Sequence, residues 1–216
     1  MTLTLEQEKI KSYLDELKSL EQQLQANPEN YGLYLQMGAL CYHKLKSNLK
    51  ALEYYMNYVC YVKDDAIVYN MIGHLLCELD PSNNIDDQIY YFELANKLKP
   101  NDHNMMKNLT LVYPRAGRYQ EALELHHKIL RTGATMDDYF DYACLNIRMG
   151  NWKEGWKYYE YRLAKEHGAT PIRAFDKPLW KKQKIKDKTL LVHWEQGFGD
   201  TIMFCRYLHF LRVWGS

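Results

Sequence analysis

The sequence predicts an all-α fold, a right-handed superhelix of antiparallel helix pairs, followed by a short strand-turn-helix segment. Three observations lead to this prediction. A pattern of large, small and aromatic residues recurs with a period of about 34 residues. One amphipathic helix precedes the recurring pattern, and residues 189–216 change to a short apolar run, a glycine-rich turn and a second helical pattern.

The first predicted element is a helix over residues 5–25. Its apolar residues lie at helical spacing, with Glu, Lys and Gln between them, and Pro28 is expected to end it. A terminal helix with a polar outer face suits the end of a repeat array, so residues 1–30 are interpreted as a capping helix. The apolar positions of the helix are Ile10, Leu14, Leu17, Leu20 and Leu24.

Four helical hairpins are predicted over residues 31–163. In each hairpin a large residue opens the first helix, small residues lie where the two helices cross, and an aromatic residue belongs to the second helix. Small residues are needed at the crossings because the helix axes approach too closely for a bulky side chain. The residues expected at tight crossings are Gly38, Gly73, Ala122, Ala143 and Gly155.

The turns inside the hairpins carry their own signals. Gly117 and Gly150 fall where the chain needs a left-handed backbone after the first helix of the third and fourth hairpins. Pro114 should end or kink the first helix of the third hairpin early. The second hairpin has a longer turn at residues 80–84.

Together these residues resemble the tetratricopeptide-repeat family. The resemblance implies that the first helices of the hairpins line a concave groove that binds a polypeptide. Asn side chains can hold an extended peptide backbone, and Lys and Arg can hold a carboxylate. The alternative, that these are ordinary solvated helix residues, stays open. The predicted groove residues are Gln36, His43, Asn70, His74, Lys107, Asn108, Arg115, Asp141 and Arg148.

Residues 164–188 are interpreted as an ordered linker. This stretch contains glycine, prolines and a cluster of lysines, with Phe175, Leu179 and Trp180 as expected anchors. A basic run beside a Trp could hold an RNA backbone, but a solvated connector is the preferred interpretation. The net charge of +1 likewise gives no reason to expect a nucleic-acid partner.

Residues 189–216 are predicted to form a buried strand over 189–195, a turn, and a helix over 201–213. A strand, a glycine-rich turn and a helix open many nucleotide-binding α/β units. There, glycines such as Gly197 and Gly199 let the backbone approach a ligand, and the helix N-terminus offers free N–H groups to an anion. Asp200 could equally be the N-cap of the helix.

Three segments, residues 150–162, 178–180 and 188–207, resemble the bacterial tetratricopeptide-repeat glycosyltransferase-like family. The resemblance implies a GT-B-type domain that opens with a Glu-Gln-Gly-x-Gly-Asp turn. It also implies that Asp200 is the general base of a parent enzyme and that Gly197 and Gly199 shape the turn.

A GT-B enzyme needs two Rossmann-like domains, and this chain holds one strand and one helix of the first. We therefore interpret residues 189–216 as a truncated start of that domain and expect no catalysis by this chain alone. The function expected is a peptide- or protein-binding scaffold, the recognition portion of a glycosyltransferase-like protein. The alternative is part of an active sugar-nucleotide-dependent glycosyltransferase whose catalytic domain lies downstream.

Other classes of site find little support in the sequence. His126 and His127 are adjacent and point to different helix faces, so no metal site or cofactor is expected, and no spacing indicates nucleophilic catalysis. The chain has five cysteines, an odd number, so they are not expected to form a set of disulfides. We expect them to be small buried hydrophobic residues of a protein in a reducing, cytoplasmic compartment. No signal peptide or membrane-spanning run is recognisable.

The apolar residues of 189–216 require a partner surface. We expect the terminal helix to dock on the last repeat near Trp156 and Tyr159, with some self-association of the chain through residues 189–216.

Overall fold

The structure, a computed structural model, describes residues 4–164, 175–181, 188–195 and 197–214. Every regular element in these ranges is helical, and eight of the helices form four antiparallel pairs after a single N-terminal helix. None of these helices combines the length and apolar character needed to cross a membrane. The helices are α1 (Leu5–Ala26), α2 (Gly32–His43), α3 (Asn48–Tyr61), α4 (Ala66–Leu79), α5 (Ile85–Leu98), α6 (His103–Val112), α7 (Tyr119–Thr132), α8 (Met136–Arg148), α9 (Trp152–Tyr159), α10 (Phe198–Cys205) and α11 (Leu208–Trp214).

Helix α1 matches the predicted terminal helix to within one residue. It begins with a capping box, in which Thr4 Oγ1 accepts a hydrogen bond from the Gln7 backbone N–H and Gln7 Oε1 accepts one from the Thr4 backbone N–H. Leu17 and Leu20 are buried against the first pair, whereas Leu14 and the residues before it leave much of their surface in solvent. The fully buried residues of α1 therefore all lie in its second half, with Tyr13 packed at the edge of the core.

The helix crossings are as tight as the small residues predict. A Cβ added at Gly38 would lie 2.5 Å from Cε1 of Tyr55, and one added at Gly73 would lie 2.6 Å from Cε1 of Phe92. Ala122 and Ala143 are fully buried. The predicted register of the repeats is therefore confirmed at these positions.

The turns also follow the sequence signals. Gly117 and Gly150 have φ angles of +76° and +81°, in the left-handed region. Helix α6 ends at Val112, and the chain continues as a 3₁₀ turn, Tyr113–Ala116, that contains Pro114. Because proline has no N–H to continue the ladder, the early end of α6 has the expected cause.

Gln88 was not anticipated. It is fully buried on α5, at the position where α3 and α7 carry Ala51 and Ala122. Its Nε2 donates a hydrogen bond to the Asp80 carbonyl oxygen at 3.0 Å, and its Oε1 accepts one from Cys77 Sγ at 3.2 Å. The amide thus satisfies the carboxyl end of α4, where the long turn leaves a carbonyl without a helical partner.

The strand predicted at residues 189–195 is wrong, because these residues have no regular secondary structure. A strand is stabilised by hydrogen bonds to a neighbouring strand, and the described residues offer none. The predicted helix exists but is divided into α10 and α11 at Arg206 and Tyr207. In this structure its apolar side chains stay in solvent, with Phe198 85% and Ile202 73% exposed, rather than docking near Trp156.

Two further expectations need correction. Of the five cysteines only Cys41 is buried, while Cys60, Cys144 and Cys205 are exposed. These three lie on helix faces turned to solvent, so helical position alone did not imply burial.

In the predicted linker Phe175 and Leu179 are exposed and Trp180 is half-buried, whereas its glycine and most of its lysines lie outside the described residues.

Candidate functional site

The first helices of the four pairs, α2, α4, α6 and α8, carry all but one of the predicted groove residues, and Arg115 follows α6 directly. We call the solvent-facing side of these four helices the groove face. Side chains on or beside it repeat at three- and four-residue intervals on α4, where Ile67 is exposed and Asn70 and His74 are half-buried. On α6, Leu111 is exposed, whereas Asn108, one turn before it, is buried beneath this face.

Three predicted groove residues meet between α4 and α6. The Asn108 side-chain nitrogen donates a hydrogen bond to Asn70 Oδ1 at 2.6 Å and lies 3.1 Å from His74 Nε2. Burial lowers the pKa of His74, so its ring is neutral at pH 7 and Nε2 can accept a hydrogen bond from the amide. These contacts connect the second and third repeats through polar side chains.

Lys107 joins the third and fourth repeats. Its Nζ lies 3.2 Å from Asp138 Oδ1 and 4.0 Å from Asp141 Oδ2. His103 Nε2 approaches the other oxygen of Asp138 at 3.1 Å. Lys107 therefore already has two carboxylate partners within this chain, and its contact with a ligand carboxylate stays a prediction.

Asp138 is the residue that the sequence prediction missed. Its side chain is 1% exposed, and its carboxylate accepts hydrogen bonds from the backbone N–H and the hydroxyl of Thr135. Burial by itself would raise the pKa of Asp138, but the bonds from Thr135 and Lys107 outweigh it and hold the pKa below its ordinary value. A Thr three residues before an acidic residue is a capping-box signal, which could have marked Asp138 as inward-facing.

The other predicted groove residues do not join these contacts. Gln36 and His43 on α2, Arg115 in the 3₁₀ turn and Arg148 at the end of α8 are exposed. The structure therefore brings together five of the nine residues, on three adjacent repeats, and leaves four at the surface around them.

Apolar side chains lie beside the asparagines. Ile67 is 58% exposed and Leu111 is 50% exposed, one helical turn from Asn70 and Asn108 respectively. Carboxamides can both donate and accept hydrogen bonds, whereas the aliphatic groups offer contact area. This combination suits a ligand that has amide groups and apolar side chains together.

A separate shallow cavity of about 570 Å³ opens between α7, α8 and the start of α9. His127, Tyr142, Asn146 and Trp152 contribute to its wall, and His127 Nε2 lies 3.3 Å from the Tyr142 hydroxyl. None of the predicted groove residues lines it. The cavity and the groove face are therefore different features.

The predicted phosphate-binding turn lies in solvent. Gly197 is the N-cap of α10, and Asp200 belongs to its first turn rather than capping it. A Cβ added at Gly197 or Gly199 would meet no atom within 4 Å. With the strand absent, nothing in the described part of the chain forms a second wall against these residues.

Comparison with known proteins shows the fold. The crystal structure of MamA matches with a TM-score of 0.62 and 20% identity, covering 77% of this chain and 96% of that one. YrrB, described as a TPR protein with an unusual peptide-binding site, matches with a TM-score of 0.62 and 14% identity, covering 70% and 77%. A tetratricopeptide repeat protein from Parabacteroides merdae matches with a TM-score of 0.60 and 19% identity, covering 71% and 62%. This chain therefore has the tetratricopeptide-repeat fold.

One curated relative was found by sequence. Protein FlbA of Caulobacter vibrioides is 25% identical over 147 residues, which are 66% of this chain. The match spans about a quarter (24%) of FlbA. No protein-family model matches the chain.

Proposed function

We propose that this chain binds an extended polypeptide along the groove face. The observation that carries the proposal is the half-buried carboxamide of Asn70, whose Oδ1 accepts a 2.6 Å hydrogen bond from the buried Asn108 of the next repeat. Exposed Ile67 and Leu111 lie one helical turn from these two residues. The fold shared with YrrB, a protein described as having a peptide-binding site, supports it.

The spacing of the repeats suits an extended chain. Neighbouring helices pack about 8–10 Å apart, and an extended peptide rises about 3.3 Å per residue, so one repeat corresponds to about three residues of ligand. The side-chain nitrogen of Asn70 would then donate to a C=O group of the peptide backbone, and exposed Ile67 and Leu111 would contact its side chains.

The charges indicate which peptides bind best. Lys107 is balanced by Asp138 and Asp141, so it does not select for ligand carboxylates. Two exposed arginines lie next to this face, Arg148 at the end of α8 and Arg115 in the 3₁₀ turn that follows α6. We therefore propose a preference for acidic side chains or a free C-terminus at the edge of the groove.

The test uses a pool of fluorescein-labelled degenerate dodecapeptides and fluorescence anisotropy. Asn70→Ala is expected to weaken binding about 2- to 12-fold, the loss that corresponds to a hydrogen bond worth about 0.5–1.5 kcal/mol. The matched control is Asn101→Ala, an exposed asparagine in the turn before α6. No binding by the unmodified chain, or equal losses in both variants, would refute the proposal.

A second candidate is a role within a sugar-nucleotide-dependent glycosyltransferase. It rests on the resemblance carried by residues 150–162, 178–180 and 188–207, which include the Glu-Gln-Gly-x-Gly-Asp motif at residues 195–200. We expect the purified chain to turn over no nucleotide sugar, because Asp200, in the first turn of α10, is exposed and no second wall faces it in the described part of the chain. Turnover that disappears in Asp200→Ala would overturn this expectation, and the gene sequence downstream of codon 216 would test the candidate directly.

The cytoplasmic location predicted from the sequence remains a proposal. It is supported by five cysteines that form no disulfide. Localisation of a tagged full-length protein would test it.

A further inference from the structure

Two side chains of α4 surround the carboxamide nitrogen of Asn108. Nδ2 donates a hydrogen bond to Asn70 Oδ1 at 2.6 Å and lies 3.1 Å from His74 Nε2. Asn108 is 9% exposed, so its side chain depends on these protein partners rather than on water. A carboxamide exchanges its donor and its acceptor by a half-turn, and its partners decide which arrangement is kept. The orientation of Asn108 is therefore set by what Asn70 and His74 can accept.

The two asparagines alone do not fix this choice. If both carboxamides turned over, Asn70 Nδ2 would donate to Asn108 Oδ1, and the contact between them would be equally good. The change would appear at the other atom of the Asn70 carboxamide, which is nitrogen in the first arrangement and oxygen in the second. Asn70 is half-buried and makes no second side-chain hydrogen bond within the described residues, so this atom is available to a ligand.

His74 removes the symmetry between the two arrangements. When the neutral ring carries its proton on Nδ1, Nε2 is an acceptor only, and it requires the Asn108 nitrogen to face it. The Asn108 nitrogen in turn requires Asn70 Oδ1 as its second acceptor. The nitrogen of Asn70 is then the atom that is left for the groove.

The surroundings of His74 favour its neutral form. Burial has the larger effect and lowers the pKa of His74, whereas the negative charge of Glu78, one turn further along α4, opposes it. On α5 the facing group is the Phe92 ring, with 5.4 Å between the ring centroids, and on α6 it is Asn108, neither of which titrates. The Glu78 carboxylate itself accepts hydrogen bonds from the Tyr42 hydroxyl of α2 and from an asparagine amide of α3.

The equivalent position of the next repeat also carries a nitrogen donor. Lys107 follows the buried Met105 by two residues, as Asn70 follows the buried Val68. Lys107 Nζ has three N–H groups, and its charge is compensated by two carboxylates of α8. A remaining N–H group on a compensated cation suits a neutral carbonyl oxygen better than it suits a further carboxylate.

We propose that this part of the groove face selects carbonyl oxygens of its ligand, and that His74 is the positioning residue that keeps the Asn70 nitrogen turned outward through Asn108. The inference rests on the polypeptide binding proposed above and specifies the group that is recognised, a backbone C=O rather than a backbone N–H. Since every residue of a polypeptide has a carbonyl group and proline lacks only the N–H, the ligand position opposite Asn70 can hold proline.

The first test is Asn70→Asp, measured with the degenerate dodecapeptide pool at neutral pH. This change keeps an oxygen toward Asn108 and replaces the outward nitrogen by a second oxygen, so it reverses only the polarity offered to the ligand. Binding should weaken at least about tenfold, and by more than in Asn70→Ala, because an acceptor then faces the ligand carbonyl. The matched control is Asn101→Asp, which adds the same charge at the exposed turn before α6 and should change the affinity less than about twofold.

The second test is the pH profile of binding. A protonated His74 donates from Nε2 and no longer accepts, so Asn108 and Asn70 turn over and the outward atom becomes oxygen. The affinity of the unmodified chain for a rhodamine-labelled pool should therefore fall at least about threefold from about pH 7.5 to about pH 5. His74→Gln keeps an acceptor that does not titrate, so this fall should be absent. Both chains keep His126, and the difference between them reports His74.

Two results would overturn the inference while the proposed function stands. One is a smaller loss of affinity in Asn70→Asp than in Asn70→Ala, which would show that the outward atom is an acceptor. The other is the same pH profile in the unmodified chain and in His74→Gln, which would remove the positioning role of His74. An unmodified chain that binds no peptide of the pool would refute the proposed function itself, and the inference with it.

Discussion

Asp138 lies where the other first helices of the array have an apolar residue. The corresponding positions hold Leu33, Val68 and Met105, all buried. A carboxylate in this place is tolerated because Thr135 and Lys107 satisfy its oxygens. At this position the fourth repeat thus makes polar contacts to the third, whereas the other first helices place an apolar side chain there.

Lys107→Met should therefore act mainly on stability. It leaves a buried carboxylate without its cation, and we expect the free energy of unfolding to fall by about 1–3 kcal/mol, because Thr135 and His103 still contact Asp138. Urea unfolding monitored by circular dichroism measures the change. The double variant Lys107→Met, Asp138→Leu should recover part of the loss, and no recovery would show that the charge pair is not the cause.

The buried ring of His126 leads us to expect that the free energy of unfolding falls in acid. It takes the position that Tyr55 and Phe92 occupy in the first two pairs, is 2% exposed, and its Nδ1 has no hydrogen-bond partner. Burial lowers the pKa of His126 to about 4, from an ordinary value of 6.5, while the negative charge of Asp138 opposes this shift.

The pKa of His126 is lower in the folded state than in the unfolded state. The unfolded chain therefore binds the proton first as the pH falls. The stability linked to the neutral His126 ring is fully present above about pH 6.5 and declines as the pH falls toward 4. At about 1.4 kcal/mol per pH unit, we expect a loss of about 2 kcal/mol between pH 7.5 and 5, measured by urea unfolding at both values. His126→Phe should remove most of this loss, and an unchanged pH dependence in that variant would contradict the assignment.

At the scale of the helix pair, the crossing at Gly155 on α9 is the one where an added Cβ would come closest to backbone atoms. A Cβ added there would lie 2.5 Å from Cγ1 of Ile147 and 3.0 Å from the Ile147 backbone nitrogen. At Gly73 the nearest atoms all belong to the Phe92 ring, which can tilt. The two glycines therefore differ in what an added methyl group would have to displace.

Gly155→Ala should destabilise the chain by about 1–2 kcal/mol net, because overpacking against backbone exceeds the gain of about 1 kcal/mol in helix propensity. Gly73→Ala, the matched substitution in another pair, should cost less. Thermal or urea unfolding of both variants checks the ranking. A Gly155→Ala variant as stable as the unmodified chain would mean that α8 and α9 separate more easily than the structure indicates.

At the scale of the whole molecule, sequence reasoning succeeded where a pattern acts locally. Gly117 and Pro114 predict their turn because each restricts its own backbone, and the repeat period predicts the helix pairs because every repeat meets the same packing demand. It failed at residues 189–195, since a strand depends on a partner strand elsewhere. The ion pair of Lys107 with Asp138 could not be predicted either, because it joins two repeats and is not visible from either repeat alone.

The distribution of buried apolar residues indicates that the array does not unfold as one unit. One cluster extends from Leu17 on α1 to Met105 on α6, and a second, smaller cluster extends from Ile89 on α5 to Leu145 on α8. Helix α9 belongs to neither cluster, and Gly155 is its one buried residue. In a solenoid each repeat is stabilised by its neighbours alone, so a weak end can open while the rest stays folded.

Native-state hydrogen exchange should therefore show α8 and α9 opening at a free energy about 1–2 kcal/mol below that of α2 to α5. Lys107→Met should lower the opening free energy of α8 and α9 further and leave α2 and α3 unchanged, because the pair it breaks lies at the joint of the last two repeats. The first repeats thus serve as an internal control in the same sample. Equal opening free energies in all helices, or an equal effect of Lys107→Met on α2 and α8, would show that the four repeats unfold as a single cooperative unit despite their divided core.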